Sequence, residues 1–236
     1  MAKIHNLGFP RIGEKRELKF AIESYWQGKS DQTELNSIGQ QITQKNQQRQ
    51  QQLDLVTVGD FSLYDHVLDT SFLLGNIPKR ALRDEGNALD DYFRVARGKA
   101  NNSTCCGNSA GEMTKWFDTN YHYIVPEITR ETKFSLHAEN LVKQIRESQH
   151  QGFDTKPVIL GPITYLWLCK SKDDTDPLLL LDQLLPVYQK LLTTLARMGI
   201  NWLQIDEPAL VTELGREWQL AFKYAYQDRK STRLNS

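Results

Sequence analysis

Cysteine is scarce in this chain of 236 residues: there are three, and neither a Cys-x-x-Cys nor a His-x-x-x-Cys spacing is among them. That excludes a disulfide framework and a zinc site built from closely spaced thiolates. Cys105 and Cys106 are adjacent in a Gly/Asn/Ser-rich stretch and read as free thiols in a loop spanning 98–111, while Cys169 follows an apolar run and reads as a small packed residue. An excess of charge of either sign is also missing. With 29 basic and 29 acidic residues the formal net charge is zero, which argues against a general nucleic-acid binder. No apolar run approaches the ~18 residues needed to span a bilayer. The N-terminus, with Lys3 and His5 and no long apolar stretch, does not read as a secretory signal. These absences lead to the expectation of a cytoplasmic protein with neither membrane nor nucleic-acid partners.

Hydrophobic residues make up 39% of the chain, enough for one sizeable core. Short apolar or β-branched runs at 3–7, 55–58, 121–125, 157–160 and 202–205 end in Gly, Pro or an acidic residue, as buried parallel strands do. Helical patterns separate them at 14–26, 31–52, 64–74, 88–97, 135–151 and 177–198. Asp31 and Glu34 form a plausible capping box, and Gly152 and Gly199 stand where glycine ends a helix. Pro186 is expected to kink the last helix or mark a restart. Strand–helix alternation predicts a parallel α/β fold. No Gly-x-Gly-x-x-Gly follows a strand, so a TIM (β/α)8 barrel is expected in preference to a doubly wound sheet. Arg11, Asp60, Glu127, Gly161, Asp206 and Glu207 all fall just after strand ends, where a barrel assembles its active face. About five of the eight strands are present. The expectation is therefore an incomplete barrel over 1–227, followed by a disordered or non-native polar tail over 228–236.

The run Leu7-Gly8-Phe9-Pro10-Arg11-Ile12-Gly13 leads into Lys15-Arg16-Glu17-Leu18-Lys19. Read as a turn followed by a helix, it puts cations at the positive end of the helix dipole, where each costs ~0.3–1 kcal/mol. A bound anion would reverse that cost, because helix N–H groups and cationic side chains would converge on it. A solvated turn softened by Glu14 and Glu17 is the alternative. Placed three apart in one helix, Arg16 and Lys19 would share a face and could meet a carboxylate-rich ligand as a fork and a point charge.

Several blocks occur in order: Leu7-Gly8-Phe9-Pro10-Arg11 with Arg16-Glu17-Leu18-Lys19, then Val58-Gly59-Asp60-Phe61 with Tyr64-Asp65-His66-Val67-Leu68. They are followed by Glu112-Met113-Thr114-Lys115-Trp116-Phe117, Asn120-Tyr121-His122-Tyr123, Pro126-Glu127, Leu160-Gly161-Pro162 and Gln204-Ile205-Asp206-Glu207-Pro208-Ala209-Leu210. In order and spacing this set resembles the start of the cobalamin-independent methionine synthases, over nearly everything up to about residue 227. The resemblance implies the amino-terminal domain of a zinc-dependent methyltransferase. Such an enzyme moves a methyl group from 5-methyltetrahydropteroyltri-L-glutamate to L-homocysteine, giving L-methionine, without cobalamin. It implies that the zinc ligands lie outside this chain, in a carboxy-terminal barrel that would be this domain's partner. It implies no catalytic residue here, so that the fragment alone would be inactive. Family positions that bind the polyglutamate tail fall on Arg16, Glu17, Leu18, Lys19 and Lys115, with Glu17 and Leu18 shaping the motif.

Other readings remain open. The chain could be a non-catalytic structural half-domain, or belong to a different barrel enzyme such as a decarboxylase relative or a glycosidase. Adjacent strand residues point to opposite faces, so Asp206 and Glu207 are poorly placed to flank one glycosidic bond, and a single structural carboxylate is expected there. His66 and His122 have no metal-triad spacing. Trp116, Phe117, Tyr121, Tyr123, Tyr165 and Trp167 could form a stacking surface for a pterin or serve as core aromatics.

Overall fold

The computed structural model describes residues 2–82, 87–99 and 109–227. Cys105, Cys106 and the polar segment 228–236 lie outside the described residues, as does most of the loop expected over 98–111. The chain runs α1 (Glu17–Trp26), α2 (Gln32–Arg49), β1 (Val56–Val58), α3 (His66–Leu73), a 3-10 turn at Lys79–Ala81, α4 (Ala88–Arg97), β2 (Met113–Lys115), β3 (His122–Ile124) and β4 (Glu127–Ile128). It continues through α5 (Glu139–His150), β5 (Thr155–Leu160), α6 (Pro162–Leu168), β6 (Lys170–Ser171), α7 (Leu181–Arg197), β7 (Gln204–Asp206) and α8 (Arg216–Gln227).

The architecture is mixed α/β. β1, β5 and β7 form a parallel sheet in that order, with Val56 opposite Thr155 and Leu160 opposite Asp206. β5 is buried along almost its whole length, as expected of a parallel strand covered on both faces. Two of the strand expectations change. Residues 3–7 contribute a single parallel bridge, His5 to Leu55, and no continuous strand. Residues 121–125 do not join the parallel sheet. They supply β3, which pairs antiparallel with β2 in a separate hairpin, because a partner strand with no apolar alternation precedes them. β4 and β6 make a further short parallel pair.

Helix starts follow local chemistry. Asp31 accepts the Glu34 amide, Asp65 the Leu68 amide and Asn87 the Asp90 amide, each as an N-cap. α7 runs through Pro186 without a restart. Pro186 and Asp182, whose carbonyl the proline leaves unpaired, are both exposed, so water can satisfy that carbonyl. Two apolar clusters hold the molecule together. One packs α1, α2, α3 and α4 around Leu18, Leu35 and Phe93, and the other packs the parallel sheet against α5, α6 and α7 around Ile145, Tyr165 and Leu184.

Candidate functional site

The corner before α1 is built by one carboxylate. Glu17 Oε2 accepts the Lys15 amide at 2.8 Å, and backbone amides, its own first, hold the carboxyl below its ordinary range. The chain can turn here because Gly13 has φ 81°, and a Cβ on it would lie 2.2 Å from Glu17 Oε2. Leu18, 0% exposed, anchors the corner in the helical cluster beside Ala21, Ile22 and Tyr25. Arg16 is not inside the helix, contrary to the sequence expectation. It occupies the N-cap position in the left-handed region, φ 63°, with no capping side chain, because the Gly13–Glu17 turn delays the helix to Glu17. The shared helix face for Arg16 and Lys19 therefore does not hold. Arg16 is exposed, and Lys19 makes only a loose pair with Glu23 at 3.6 Å.

Lys115 closes β2 opposite His122, and all of β2 is exposed. The next residue, Trp116, packs edge-on against His66 at 4.3 Å, Phe117 at 4.9 Å and Tyr123 at 5.8 Å. Phe117 has φ 50° and stacks on Trp167 at 5.5 Å and 6°. The described non-glycine residues with left-handed backbone are Arg16, Phe117 and Asp174. Two of them thus lie at or beside the cationic positions read from sequence. Among the described residues no carboxylate pairs with Arg16 or Lys115.

A cavity of about 1330 Å³ opens at the carboxyl ends of β1, β5 and β7. Its wall includes Arg11, Asp60, His66, Asp69, Trp116 and Tyr121, but not Arg16, Lys19 or Lys115. Arg11 donates to the Leu63 carbonyl at 2.8 Å and to the Tyr121 hydroxyl at 3.2 Å, joining the 8–11 turn to the hairpin. Asp60 Oδ2 accepts the Phe9 amide at 2.7 Å, and burial raises its pKa. Burial pushes His66 down to about 4, Asp65 up to about 6 and Asp69 up to about 7. The sequence places Arg11 just after a strand end and sets Asp65 beside His66 as a possible acid–base pair, but it does not mark Asp69 as part of a site. An acidic residue just before an apolar helix is the signal that identifies Asp65 as a cap.

The sequence predicts a single structural carboxylate in the Asp206–Glu207 pair without choosing between them, and Glu207 takes that part. It accepts the Ile163 and Thr164 amides at 3.1 and 2.6 Å and the Tyr226 hydroxyl at 2.7 Å, capping α6. Asp206 accepts from Gln204 Nε2 at 2.8 Å. With Glu207 consumed in this way, no acid–base pair for glycoside cleavage stands here. Among the described residues no group of three or more His, Cys, Asp or Glu side chains is placed to hold a metal. The Cys169 thiol donates to the Tyr165 carbonyl at 3.2 Å, and burial pushes its pKa up, so it is neither a ready thiolate ligand nor a nucleophile. The described donors therefore do not fit a zinc ion. No described helix is long and apolar enough to cross a membrane.

The sequence profile described as "Cobalamin-independent synthase, N-terminal domain" matches residues 3–235. A curated relative, the 5-methyltetrahydropteroyltriglutamate–homocysteine methyltransferase of Saccharophagus degradans, is 52% identical over 233 residues. The alignment covers 96% of this chain and 30% of that protein. The chain thus spans about a third of the length of the relative it matches.

Proposed function

The chain belongs to the cobalamin-independent synthase family, as its N-terminal domain, and from that premise we propose that it binds the polyglutamate tail of a methyl-folate. The longer protein would transfer the methyl group from 5-methyltetrahydropteroyltri-L-glutamate to L-homocysteine, giving L-methionine, in the cytoplasm. Its partner would be a carboxy-terminal barrel, and the parallel β1–β5–β7 sheet would be a sector of this domain's own barrel. A zinc ion held by the longer protein outside this chain would supply activation of the homocysteine thiol. This domain's part would be to bind and orient the folate.

The observation that carries the reading is Arg16. A cation stands at the positive end of α1 in a backbone conformation that costs ~1–3 kcal/mol, with no carboxylate partner among the described residues. Residues held so are explained when the cation has a ligand to meet. Lys19, one turn into α1, and Lys115, at the end of an exposed strand, supply two further positive charges for an oligo-carboxylate. Glu17 sets the turn, and Leu18 anchors it from within the core.

The test is calorimetric binding of 5-methyltetrahydropteroyltri-L-glutamate and of its monoglutamate to the 236-residue chain. Replacing Arg16, Lys19 and Lys115 by Ala should lower triglutamate affinity by roughly tenfold or more per residue, since charged hydrogen bonds contribute ~1.5–3 kcal/mol each, less where the tail stays solvated, and leave the monoglutamate nearly unchanged. Equal losses for both ligands, or none for either, would return these residues to a purely structural role.

A further inference from the structure

We propose that Asp65 and Arg11 are positioning residues for the folate tail: together they dock the β2–β3 hairpin on the start of α3 and so fix where Lys115 stands. The inference rests on the tail-binding reading above and deepens it.

A two-stranded ribbon is marginal by itself in water, and β2 buries no side chain that would hold it in place. The position of Lys115 must therefore come from what β3 and the hairpin's ends touch. Asp65 is fully buried. Its Oδ1 accepts the Leu68 amide at 2.7 Å, capping α3, and its Oδ2 accepts the Ile124 amide at 3.0 Å. One carboxylate thus joins the helix start to the last residue of β3. Two residues back, His122 stands opposite Lys115.

The residue after Asp65 extends the same contact. His66 packs edge-on against Trp116 at 4.3 Å and lies stacked on Tyr121 at 6.0 Å, so the first residues of α3 touch both sides of the hairpin. Arg11 holds its far end. The guanidinium bridges the Leu63 carbonyl to the Tyr121 hydroxyl, and its carbon lies 6.0 Å from the Tyr121 ring centre. The turn carrying Arg11 leads through Gly13 directly into Arg16. A single side chain therefore couples the corner that presents Arg16 to the ribbon that presents Lys115.

The two acceptors of Asp65 are both used, and this makes the residue testable. Asparagine has the same shape and keeps one acceptor, but it turns an N–H2 group toward whichever amide the second oxygen served. Tyr121→Phe removes only the hydroxyl that Arg11 reaches, from a ring that is 37% exposed.

Binding of 5-methyltetrahydropteroyltri-L-glutamate and its monoglutamate is measured for the 236-residue chain and for Asp65→Asn, Tyr121→Phe, Lys115→Ala and the double variant Asp65→Asn/Lys115→Ala. The proposal expects Asp65→Asn to lower the tri-to-mono affinity ratio by about three- to tenfold, and Tyr121→Phe to lower it by less. The double variant should lose little more than Lys115→Ala alone, because residues acting through one contact are not additive. If Lys115→Ala loses selectivity while Asp65→Asn and Tyr121→Phe keep it, positioning is wrong and the tail reading stands. If Lys115→Ala has no effect, both fall. Should Asp65→Asn fail to fold, Tyr121→Phe decides: an unchanged ratio overturns the proposal and a lowered one supports it.

Discussion

Two regions of this molecule are proposed to meet the same ligand, and they are built in opposite ways. Arg16 and Lys19 stand at the start of a helix nailed into a core by Leu18, with the turn before it pinned by Glu17. Lys115 stands on a strand whose three residues are all exposed, in a two-stranded ribbon that leans on α3 through Asp65, His66 and Arg11. The first region owes its geometry to buried apolar area on its own helix; in the second only β3 reaches the core, through Tyr123 and Ile124, and polar bonds and aromatic edges seat the exposed β2 beside it. Both carry a non-glycine residue in the left-handed region, Arg16 in one and Phe117 in the other. A rigid corner and a docked ribbon can therefore be damaged independently, and each kind of damage has its own signature.

The largest effect is expected at the corner. Leu18→Ala removes a fully buried side chain and should destabilise the chain by about 2–5 kcal/mol, read by chemical denaturation. Triglutamate affinity should fall only as far as the folded fraction does. A change under about 0.5 kcal/mol would mean that the corner is not core-anchored.

A smaller effect is expected beneath the ribbon. Asp69, on the helix that carries the hairpin, has its pKa raised to about 7 chiefly by burial, with a further push from Asp65. A carboxyl whose folded pKa lies above its unfolded value contributes stability that is complete below the unfolded value. That contribution is lost as pH rises through about 7. Asp69→Asn, which keeps an acceptor for the Tyr92 hydroxyl, should stabilise the protein at pH 8 and flatten its stability between pH 5 and 8. A tenfold change in an ionisation constant corresponds to about 1.4 kcal/mol. Because Asp69 faces the cavity, where water can screen it, a gain of about 1–2 kcal/mol is expected from denaturation at the two pH values. A loss of stability at pH 8 would show that the charged carboxylate is needed.

The smallest stability effect separates fold from ligand. Asparagine tolerates the left-handed region better than arginine does. Arg16→Asn should therefore leave stability unchanged or raise it by up to about 1 kcal/mol, while triglutamate binds more weakly. A variant that loses stability and keeps affinity would identify Arg16 as a structural residue.

Parts of this contrast are legible in the sequence, for physical reasons. α4 begins and ends where its Asn87 cap and Gly98 put it, and the cap at Asp31 and the glycine stops are equally plain. The core-anchored corner is readable because Leu18 lies in an apolar helical pattern. The left-handed backbone of Arg16 is not, since arginine gives no signal for that conformation and the tight turn from Gly13 to Glu17 in which it sits has no apolar pattern. β2 is invisible because Met113, Thr114 and Lys115 bury nothing and show no alternation. The apolar pattern starts the last parallel strand two residues early because Trp202 looks like core, yet it is 49% exposed. α6 is only seven residues long, and α8 buries little beyond Ala225, so neither pattern rises above its surroundings. The polar bonds that seat the ribbon join residues as far apart as 110 positions in sequence, beyond the reach of any local pattern.

The central claim is that one ligand bridges the two regions. It is tested most directly by titrating the chain with 5-methyltetrahydropteroyltri-L-glutamate while following backbone amide resonances by NMR. The account predicts that amides of residues 15–19 and of residues 113–117 shift together along a single binding curve, and that added salt weakens both alike by screening the exposed charges. Shifts confined to one region, or two regions responding with different dissociation constants, would contradict it.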